Sequence, residues 1–510
     1  MADSKHEVER KYEATPETRL PDLTRAAGVS SVVHRGLSEL DAVYYDTEDL
    51  RLAAHSLTLR RRTGGDDAGW HLKLPVSADV REEIRAPLGD ALPPALGRLL
   101  RSRVRNTPVI PVVRILSARD VHHLLDANGA LLAEVSIDEV LAERLTERGR
   151  GTTSAWTEME VELADDQDPA LLDAVERRLR KAGVRPSAAP SKLSRALSET
   201  SPGKGLSRKK EGKPAPRTAG DHVLAYAARQ VAAIVELDPA VRRELPDSVH
   251  RMRVATRRLR SALRTYRKIL DRTVTDPLRE ELKWLAAELG IDRDREVLEA
   301  RLDSRVARLP VPLVLGPVRA RLELAFEARH AGARLHVDSV LDSDRYLALL
   351  DSLDALLADP PLLPAAAREP GEALPRAVLK DYDRLAARVG HALELGPGEE
   401  RDVAMHEARK AAKRVRYAAE AARPALGKPA KKFSRRMKSV QSVLGDHQDS
   451  VVARDALRTL AVQAHGAGES AFTWGLLYGQ EETAAAARER ELPGVWDRAS
   501  RPGLRAALKG

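Results

Sequence analysis

Two basic segments far apart in this chain are near-copies of each other: HRMRVATRRLR from His250 and HEARKAAKRVR from His406. Each is followed by a second matching pair, KWLAAELGIDRDREV from Lys283 and KSVQSVLGDHQDSVV from Lys438. The interval from His250 to Gly290 is 40 residues, and that from His406 to Gly445 is 39. Matched spacing over two pairs of segments is the mark of an internal duplication. Apolar residues three and four apart in an Ala/Leu/Arg texture make the duplicated units helical. The expected architecture of this part is two tandem helical bundles.

The first copy extends as HRMRVATRRLRSALRTYRK, with eight Arg and Lys and no acidic residue. At 100° per residue His250, Arg253, Arg257, Arg260, Arg264 and Lys268 fall in a stripe about 80° wide, and Met252, Ala255, Leu259 and Leu263 lie opposite. His406, Arg409, Lys413 and Arg416 take the corresponding offsets in the second copy, and Lys410 adds to them. A solvated helix face normally mixes signs in i, i+4 pairs. A purely cationic ridge that recurs in a duplicate calls instead for an anion lying against it. Glu407 and Glu420 interrupt the positive charge of the second copy.

Upstream, SPGKGLSRKKEGKPAPRTAGD from Ser201 to Asp221 is rich in Pro, Gly, Lys and Ser and reads as a linker. The expected domains are therefore 1–200, a linker at 201–220, and 221–505. Before the linker the texture is strand-like: HEVERKYE, YYDTEDLRL, LTLRRRT, WHLKLP, LLAEVSIDEV and WTEMEVEL, with a helix from Pro169 to Gly183. Alternation places Glu7, Glu9 and Lys11 on one strand face, Arg60 and Arg62 on another, Lys73 beside His71, and Glu158, Glu160 and Glu162 together opposite Met159, Val161 and Leu163. A single strand of this kind is usually the solvated side of a sheet with scattered ion pairs. Grouped carboxylates and grouped cations are, in addition, what triphosphate chemistry needs: hard oxygen ligands for Mg²⁺ or Mn²⁺, and Arg and Lys for phosphoryl oxygens. A sheet closed into a barrel with these faces inward would form a tunnel for a metal-bound polyphosphate.

Composition narrows the partner. The chain of 510 residues carries a net charge of +9 with a pI near 9.6, so polyanions are favoured. Aromatic residues are 3% of the chain, with three Phe, which disfavours nucleic acid held by base stacking. Absence of Cys removes thiolate nucleophiles and Cys-based zinc sites. No signal peptide and no run of 18 apolar residues is present, so the expectation is a cytoplasmic protein with no membrane association.

EVERK, Glu7 to Lys11, resembles the ExExK signature of the CYTH family, the triphosphate tunnel metalloenzymes that include adenylyl cyclases, thiamine triphosphatases and inorganic triphosphatases. LTLRRR, HLKLP, a basic strand near PVVRILSARD, AEVSIDEV, EMEVEL and PSKLSRAL follow in the family's order, over roughly residues 4 to 200. The resemblance implies that Glu7, Glu9, Glu158 and Glu160, with Glu162 as a further member, hold a divalent metal, Mg²⁺ or Mn²⁺. It implies that Lys11, Arg60, Arg62, Lys73 and Lys192 grip phosphates, with Arg114 or Arg119 adding charge and Arg81 and Arg85 as further cations. Glu134 and Asp138 lie where the family carries acidic residues. Glu7, Glu9, Lys11, Glu158 and Glu160 would be the catalytic set, and inorganic triphosphate is the simplest substrate these residues explain.

The repeated HxxRxxx[RK]RxR followed by LGxxxD resembles the CHAD domain, the conserved histidine α-helical domain often fused behind a CYTH domain and associated with inorganic polyphosphate, over about residues 220 to 505. It implies that the ten ridge residues from His250, Arg253, Arg257, Arg260 and Arg264 to His406, Arg409, Lys410, Lys413 and Arg416 line a basic groove. His447 is expected to donate to phosphate or to pair with Asp residues of the LGxxxD segments rather than to bind metal. The fold class implied is α+β, an antiparallel β-barrel tunnel domain followed by an all-α domain of two related bundles. The function implied is hydrolysis of inorganic triphosphate with polyphosphate binding; the alternatives are a non-catalytic protein of polyphosphate granules, or an enzyme acting on an organic triphosphate.

Overall fold

A computed structural model describes residues 3–77, 79–147, 149–200 and 215–509. The chain forms two compact units, one up to residue 213 and one from 214 onward. The first fourteen residues of the expected linker, 201–214, lie outside the described residues. Its last two belong to a helix, because Thr218 accepts from the Asp221 amide and Asp221 caps back in a reciprocal box.

The first unit holds strands β1 (Asp3–Ala14), β2 (Ser31–Asp46), β3 (Thr58–Thr63), β4 (Gly69–Pro75), β5 (Val80–Ala86), β6 (Ile110–Leu125), β7 (Leu131–Arg144), β8 (Thr153–Leu163) and β9 (Arg185–Pro186). Helices α1 (Arg51–Ala54), α2 (Pro94–Val104), α3 (Ala170–Lys181) and α4 (Lys192–Glu199) accompany them. The strands run antiparallel in the order β5-β4-β3-β2-β6-β7-β8-β1, and a β5–β1 pairing closes the ring of eight. β1 makes that closure by splitting its partners. Residues 3–8 pair with β5 and residues 9–14 with β8, where Glu9 lies opposite Glu162.

Alternation decides what faces inward. Val8, Tyr12, Val135, Met159 and Val161 turn outward into a core covered by Leu172, Val175 and Leu179 of α3. Leu57, Leu59, Trp70, Leu72 and Ile84 pack in the same way under Leu96, Leu99 and Leu100 of α2. The charged residues between them are thereby forced inside the barrel. At one end, Ala42, Tyr44, Val140 and Trp156 meet Leu193, Ala196 and Leu197 of α4 in an apolar plug.

One expected strand differs. YYDTEDLRL ends β2 at Asp46 and turns into α1, because the Asp46 carboxylate accepts hydrogen bonds from the amides of Thr47, Leu52 and Ala53 and ties the chain into a turn.

The second unit comprises α5 (Ala219–Arg242), α6 (Ser248–Thr265), α7 (Arg272–Glu288), α8 (Gly290–Ala307), α9 (Val318–Asp342), α10 (Asp344–Ala358), α11 (Pro370–Glu394), α12 (Glu399–Gly466), α13 (Phe472–Ala499) and α14 (Pro502–Ala506). α12 is kinked at Gly427, whose φ of 62° and ψ of −133° favour glycine. The duplication is visible in the packing. α6 and the first half of α12 carry the two ridges, and their apolar faces, with Met252, Leu259 and Leu263 from one and Ala408, Ala411 and Val415 from the other, join a single shared core. A smaller core unites Leu302, Val306 and Phe326 with Leu457, Leu460 and Trp474. Among the described residues no helix is long and apolar enough to cross a membrane.

Candidate functional site

The barrel encloses a cavity of about 560 Å³. Its lining includes Glu7, Glu9, Lys11, Arg60, Arg62, Lys73, Arg81, Arg85, Arg119, Glu134, Glu160, Glu162 and Lys192. Among the described residues ten lining side chains are basic and seven acidic, so the wall has a positive balance suited to a polyanion. Tyr44 is the one Phe, Tyr or Trp among the described lining residues.

The deepest cluster lies beside the plug. Asp138 on β7 and Glu158 and Glu160 on β8 bring carboxylate oxygens within 4.8 Å of one another, and all three are buried. Lys192, at the first turn of α4, sets its ammonium 2.9 Å from Asp138 and 2.8 Å from both Glu158 and Glu160. Arg119 on β6 forms a bidentate pair with Asp138 at 2.8 and 2.9 Å and reaches Glu160 at 2.8 Å. Lys11 pairs with Glu160 and, at 3.2 Å, with Glu9. Burial alone would raise the Glu160 carboxyl, but Lys11, Lys192 and Arg119 hold it well below the ordinary range. Lys192 is raised for the reciprocal reason, its carboxylate neighbours outweighing its burial.

A second cluster sits on β1, β4 and β5. Lys73 pairs with Glu7 and lies 3.7 Å from Glu83, a carboxylate with no exposure that also takes Arg60 at 3.4 Å and His71 at 2.9 Å. Burial, helped by the charge of Glu83 and opposed by Lys73, pushes Glu7 up to about 7. His71 is pushed down to about 4 by burial, against its bond to Glu83. Arg62 pairs with Asp67 and is lowered to about 9 by burial and by Arg60 and Arg119.

The expected tunnel residues therefore converge, with three differences. Arg114 is not among them: it points off the outer face of β6, 46% exposed, and grips Asp41 at 2.6 and 3.0 Å. The inward residues of this stretch, Arg119, Val121 and His123, are odd-numbered, and Arg114 has the opposite parity. The expected metal set of Glu7, Glu9, Glu158, Glu160 and Glu162 is divided. Glu158 and Glu160 join Asp138, Glu7 joins Glu83, and Glu162 sits farther out with Lys5 at 3.2 Å. Glu83 escaped the sequence reading, although the alternation that singles out Arg81 and Arg85 in VREEIRA places it on the same face.

Whether a divalent ion suits the inner triad can be judged from its atoms. Three convergent buried carboxylates supply hard oxygen donors. Glu158 Oε1 is buried and ion-paired yet accepts no hydrogen bond, while Oε2 takes Trp156 Nε1 at 2.6 Å. The Lys192 ammonium stands among the three as a cation would. The residues fit Mg²⁺ or Mn²⁺.

In the second unit all ten ridge residues line one groove of about 1020 Å³: His250, Arg253, Arg257, Arg260 and Arg264 from α6, and His406, Arg409, Lys410, Lys413 and Arg416 from α12. Arg279, Arg301 and Arg414 extend it. The crowding has electrostatic consequences. Lys413 is lowered to about 7 by burial and then by Arg409, Arg257 and Arg253. Burial and neighbouring arginines likewise lower Arg414 to about 10 and depress Arg260 and Arg264. An anion among these groups would reverse both penalties. The interruptions of the second copy are absorbed locally: Glu407 pairs with Lys410 at 2.7 Å and Arg388 at 3.2 Å, and Glu420 with Arg258 at 3.2 Å and Arg416 at 3.4 Å.

The LG segments also gain a physical meaning. Arg253 is 8% exposed, donates to the Ala286 carbonyl at 3.3 Å and lies flat against Gly290, where a Cβ would come within 2.7 Å of its Nη2. Arg409 and Gly445 repeat the contact more loosely, at 3.7 Å. His447 differs from expectation. It is fully buried, does not line the groove, and pairs with Asp402 at 3.2 Å and Glu489 at 3.4 Å rather than with the LGxxxD aspartates.

Residues 5–196 match the CYTH domain and residues 225–458 the CHAD domain. Two uncharacterized proteins of Mycobacterium tuberculosis, one from each of two strains, are 39% identical over 502 residues, covering 95% of this chain and 94% of theirs. Among solved structures, PptA from Streptomyces chartreusis is 23% identical with a TM-score of 0.48, covering 55% of this chain and 100% of that one. The CHAD domain from the plant Ricinus communis is 24% identical with a TM-score of 0.43, covering 58% of this chain and 92% of that one.

Proposed function

The chain belongs to the CYTH–CHAD family, whose tunnel domains include triphosphatases and cyclases, and from that premise we propose that it hydrolyses inorganic triphosphate to pyrophosphate and phosphate in the barrel and binds inorganic polyphosphate in the helical groove. The observation that carries the reading is the pairing, at the inner end of the tunnel, of a buried carboxylate triad fit for a divalent ion, whose Glu160 lines the cavity, with a ring of cations fit for phosphates, in a wall where Tyr44 is the one Phe, Tyr or Trp among the described lining residues. Such a wall offers a base or a thiazolium little to stack on, and inorganic triphosphate asks only for charge.

Asp138, Glu158 and Glu160 would hold Mg²⁺ or Mn²⁺, which supplies charge neutralisation and a water of lowered pKa when bound. Lys192, released from the triad, turns its ammonium to a phosphoryl oxygen, and Lys11, Arg60, Arg62, Lys73, Arg81 and Arg119 hold the remaining charge in place. These cations are paired with carboxylates, so the tunnel stays ordered before substrate enters. Glu7 Oε2 is engaged by Lys73. Its Oε1 can take a proton from water near neutral pH, where burial has poised the group. Water attacks the terminal phosphorus in line, the bridging P–O bond breaks, and pyrophosphate leaves; no covalent intermediate is needed. The lowered cations of the groove favour a polyanion that restores their charge, and an extended phosphate chain satisfies both copies of the duplication at once.

The test is phosphate release from tripolyphosphate with Mg²⁺ or Mn²⁺ by the full chain and by Glu158→Gln and Glu160→Gln. We expect release by the unaltered chain and a loss of at least about 100-fold in the variants, as for removal of a transition-state electrostatic contact. No release with either metal would leave the tunnel a binding site only, and the hydrolase reading would fall.

A further inference from the structure

On the outer wall of the barrel, away from the tunnel residues, two histidines and an aspartate of β2 and β6 come together. His34 lies directly opposite His122 across the strand pair, and Asp120 is two residues along on the same face. The His34 and His122 ring centroids are 4.9 Å apart with a tilt of 40°. His34 Nε2 is 2.6 Å from Asp120 Oδ1. One donor atom from each of the three residues lies within 4.8 Å of the other two. We propose that His34, Asp120 and His122 form a binding site for a transition-metal dication of the zinc class, separate from the tunnel.

Donor chemistry selects the ion. Two neutral imidazoles and one carboxylate suit Zn²⁺, Co²⁺ or Ni²⁺, while Mg²⁺ requires oxygen donors. The tunnel triad, with three carboxylates, has the opposite preference. His122 backs onto the apolar neighbours Val135 and Leu124, opposite and beside it in the sheet. Its Nδ1 is buried and has no hydrogen-bond partner, which leaves an imidazole nitrogen without the donor or acceptor that a structural histidine would have. His34 is 59% exposed at its side chain, so an ion can enter from solvent and keep water as its fourth ligand. On binding, His34 Nε2 and Asp120 Oδ1 would exchange the proton between them for the metal.

The location gives the ion a mechanical role. The half of β2 from residue 31 to 40 pairs with β6 on one side and, among the described residues, with no strand on the other. A β-bulge at Arg35 interrupts the register between His34 and Gly36, and Arg35, Gly36 and Leu37 line the tunnel cavity. A metal held by His34 on one strand and by Asp120 and His122 on the other would staple this edge at the bulge.

The experiment is titration of the metal-free full chain with Co²⁺ and Zn²⁺, read by Co²⁺ absorbance, zinc stoichiometry and hydrogen exchange. The tunnel variant Glu158→Gln/Glu160→Gln serves as the background in which the carboxylate triad is disabled. The expected result is zinc binding in that background of which one equivalent is lost or weakened at least about tenfold by His34→Ala, by His122→Ala and by Asp120→Asn, with slowed exchange of amides 31–38 on zinc addition. Near-UV circular dichroism without metal checks that the variants are folded, and His34→Gln supplies a conservative second variant. The proposal is overturned if zinc stoichiometry in the folded variants equals that of the background, or if zinc leaves the exchange of residues 31–38 unchanged.

Discussion

Gly290→Ala and Gly445→Ala are one chemical change at equivalent positions of the duplication, and the structure assigns them different outcomes. A Cβ on Gly290 would lie 2.7 Å from Arg253 Nη2, 3.0 Å from Cζ and 3.1 Å from Nε, whereas on Gly445 it meets Arg409 at 3.7 Å, an ordinary contact. To reach even 3.4 Å, the Arg253 tip must retreat by about 0.7 Å, the difference between 3.4 and 2.7 Å. The yielding atoms are the far end of a flexible side chain, so the fold should tolerate the change. A gain of up to about 1 kcal/mol in helix propensity offsets the strain. The groove should not tolerate it, because Arg253 leaves its bond to the Ala286 carbonyl and its place between the ridges. A hydrogen bond to a charged group is worth about 1.5–3 kcal/mol, so affinity for a phosphate polymer should fall roughly 10- to 100-fold. Titration with polyphosphate of fixed length at constant ionic strength, beside a thermal melt, reads both quantities. Gly445→Ala should bind as the unaltered chain does. Equal losses at the two glycines, or undiminished binding by a folded Gly290→Ala, would refute the idea that LG exists to seat the arginine; absence of binding by the unaltered chain would instead remove the polyphosphate reading.

Three other outcomes follow from the tunnel. Lys192→Met leaves three buried carboxylates short of a counter-charge and should cost about 3–5 kcal/mol in denaturant unfolding, partly recovered by Mn²⁺; a cost that Mn²⁺ does not reduce contradicts the ammonium's role as a stand-in. Glu7, at about 7 when folded, keeps its proton where the unfolded chain has lost it, so it withdraws stability as pH rises from about 4.5 to about 7. The melting temperature of Glu7→Gln relative to the unaltered chain should therefore climb across that window, and a flat difference would show that the carboxyl is not raised. Arg114→Ala breaks an exposed pair worth about 0–1 kcal/mol and should leave triphosphate hydrolysis unchanged, since it lies outside the barrel.

Period-two alternation made most of the tunnel legible, because one face of each strand had to be apolar to meet α2 or α3, and the charged face was then assigned by elimination. It failed where parity could not be anchored. Arg114 and Arg119 differ in parity on one long strand, and PVVRILSARD alone does not say which set of residues turns inward. Glu83 was passed over although Arg81 and Arg85 flank it, for a carboxylate between two arginines reads locally as a surface ion pair. The shared helical core was hidden for another reason. Duplicated helices announce themselves by sequence, but whether two copies pack separately or against each other depends on Ala408, Ala411 and Val415 meeting Met252, Leu259 and Leu263, which no spacing reveals. His447 shows the same limit, since its partners Asp402 and Glu489 come from the start of α12 and from α13.

The divided pairing of β1 has a consequence for how this barrel comes into being. Its first strand cannot complete its hydrogen bonds until β8 exists, and Glu9 must wait for Glu162. Closure of so long a loop is slow compared with hairpin formation. β2, β6, β7 and β8 can assemble beforehand as a curved, open sheet whose charged concave side is still wet. Glu9 and Lys11, on the half of β1 that pairs with β8, lie on the seam that seals it. Closing that seam brings Lys11 to Glu160, so the ions there lose their water as they meet their partners.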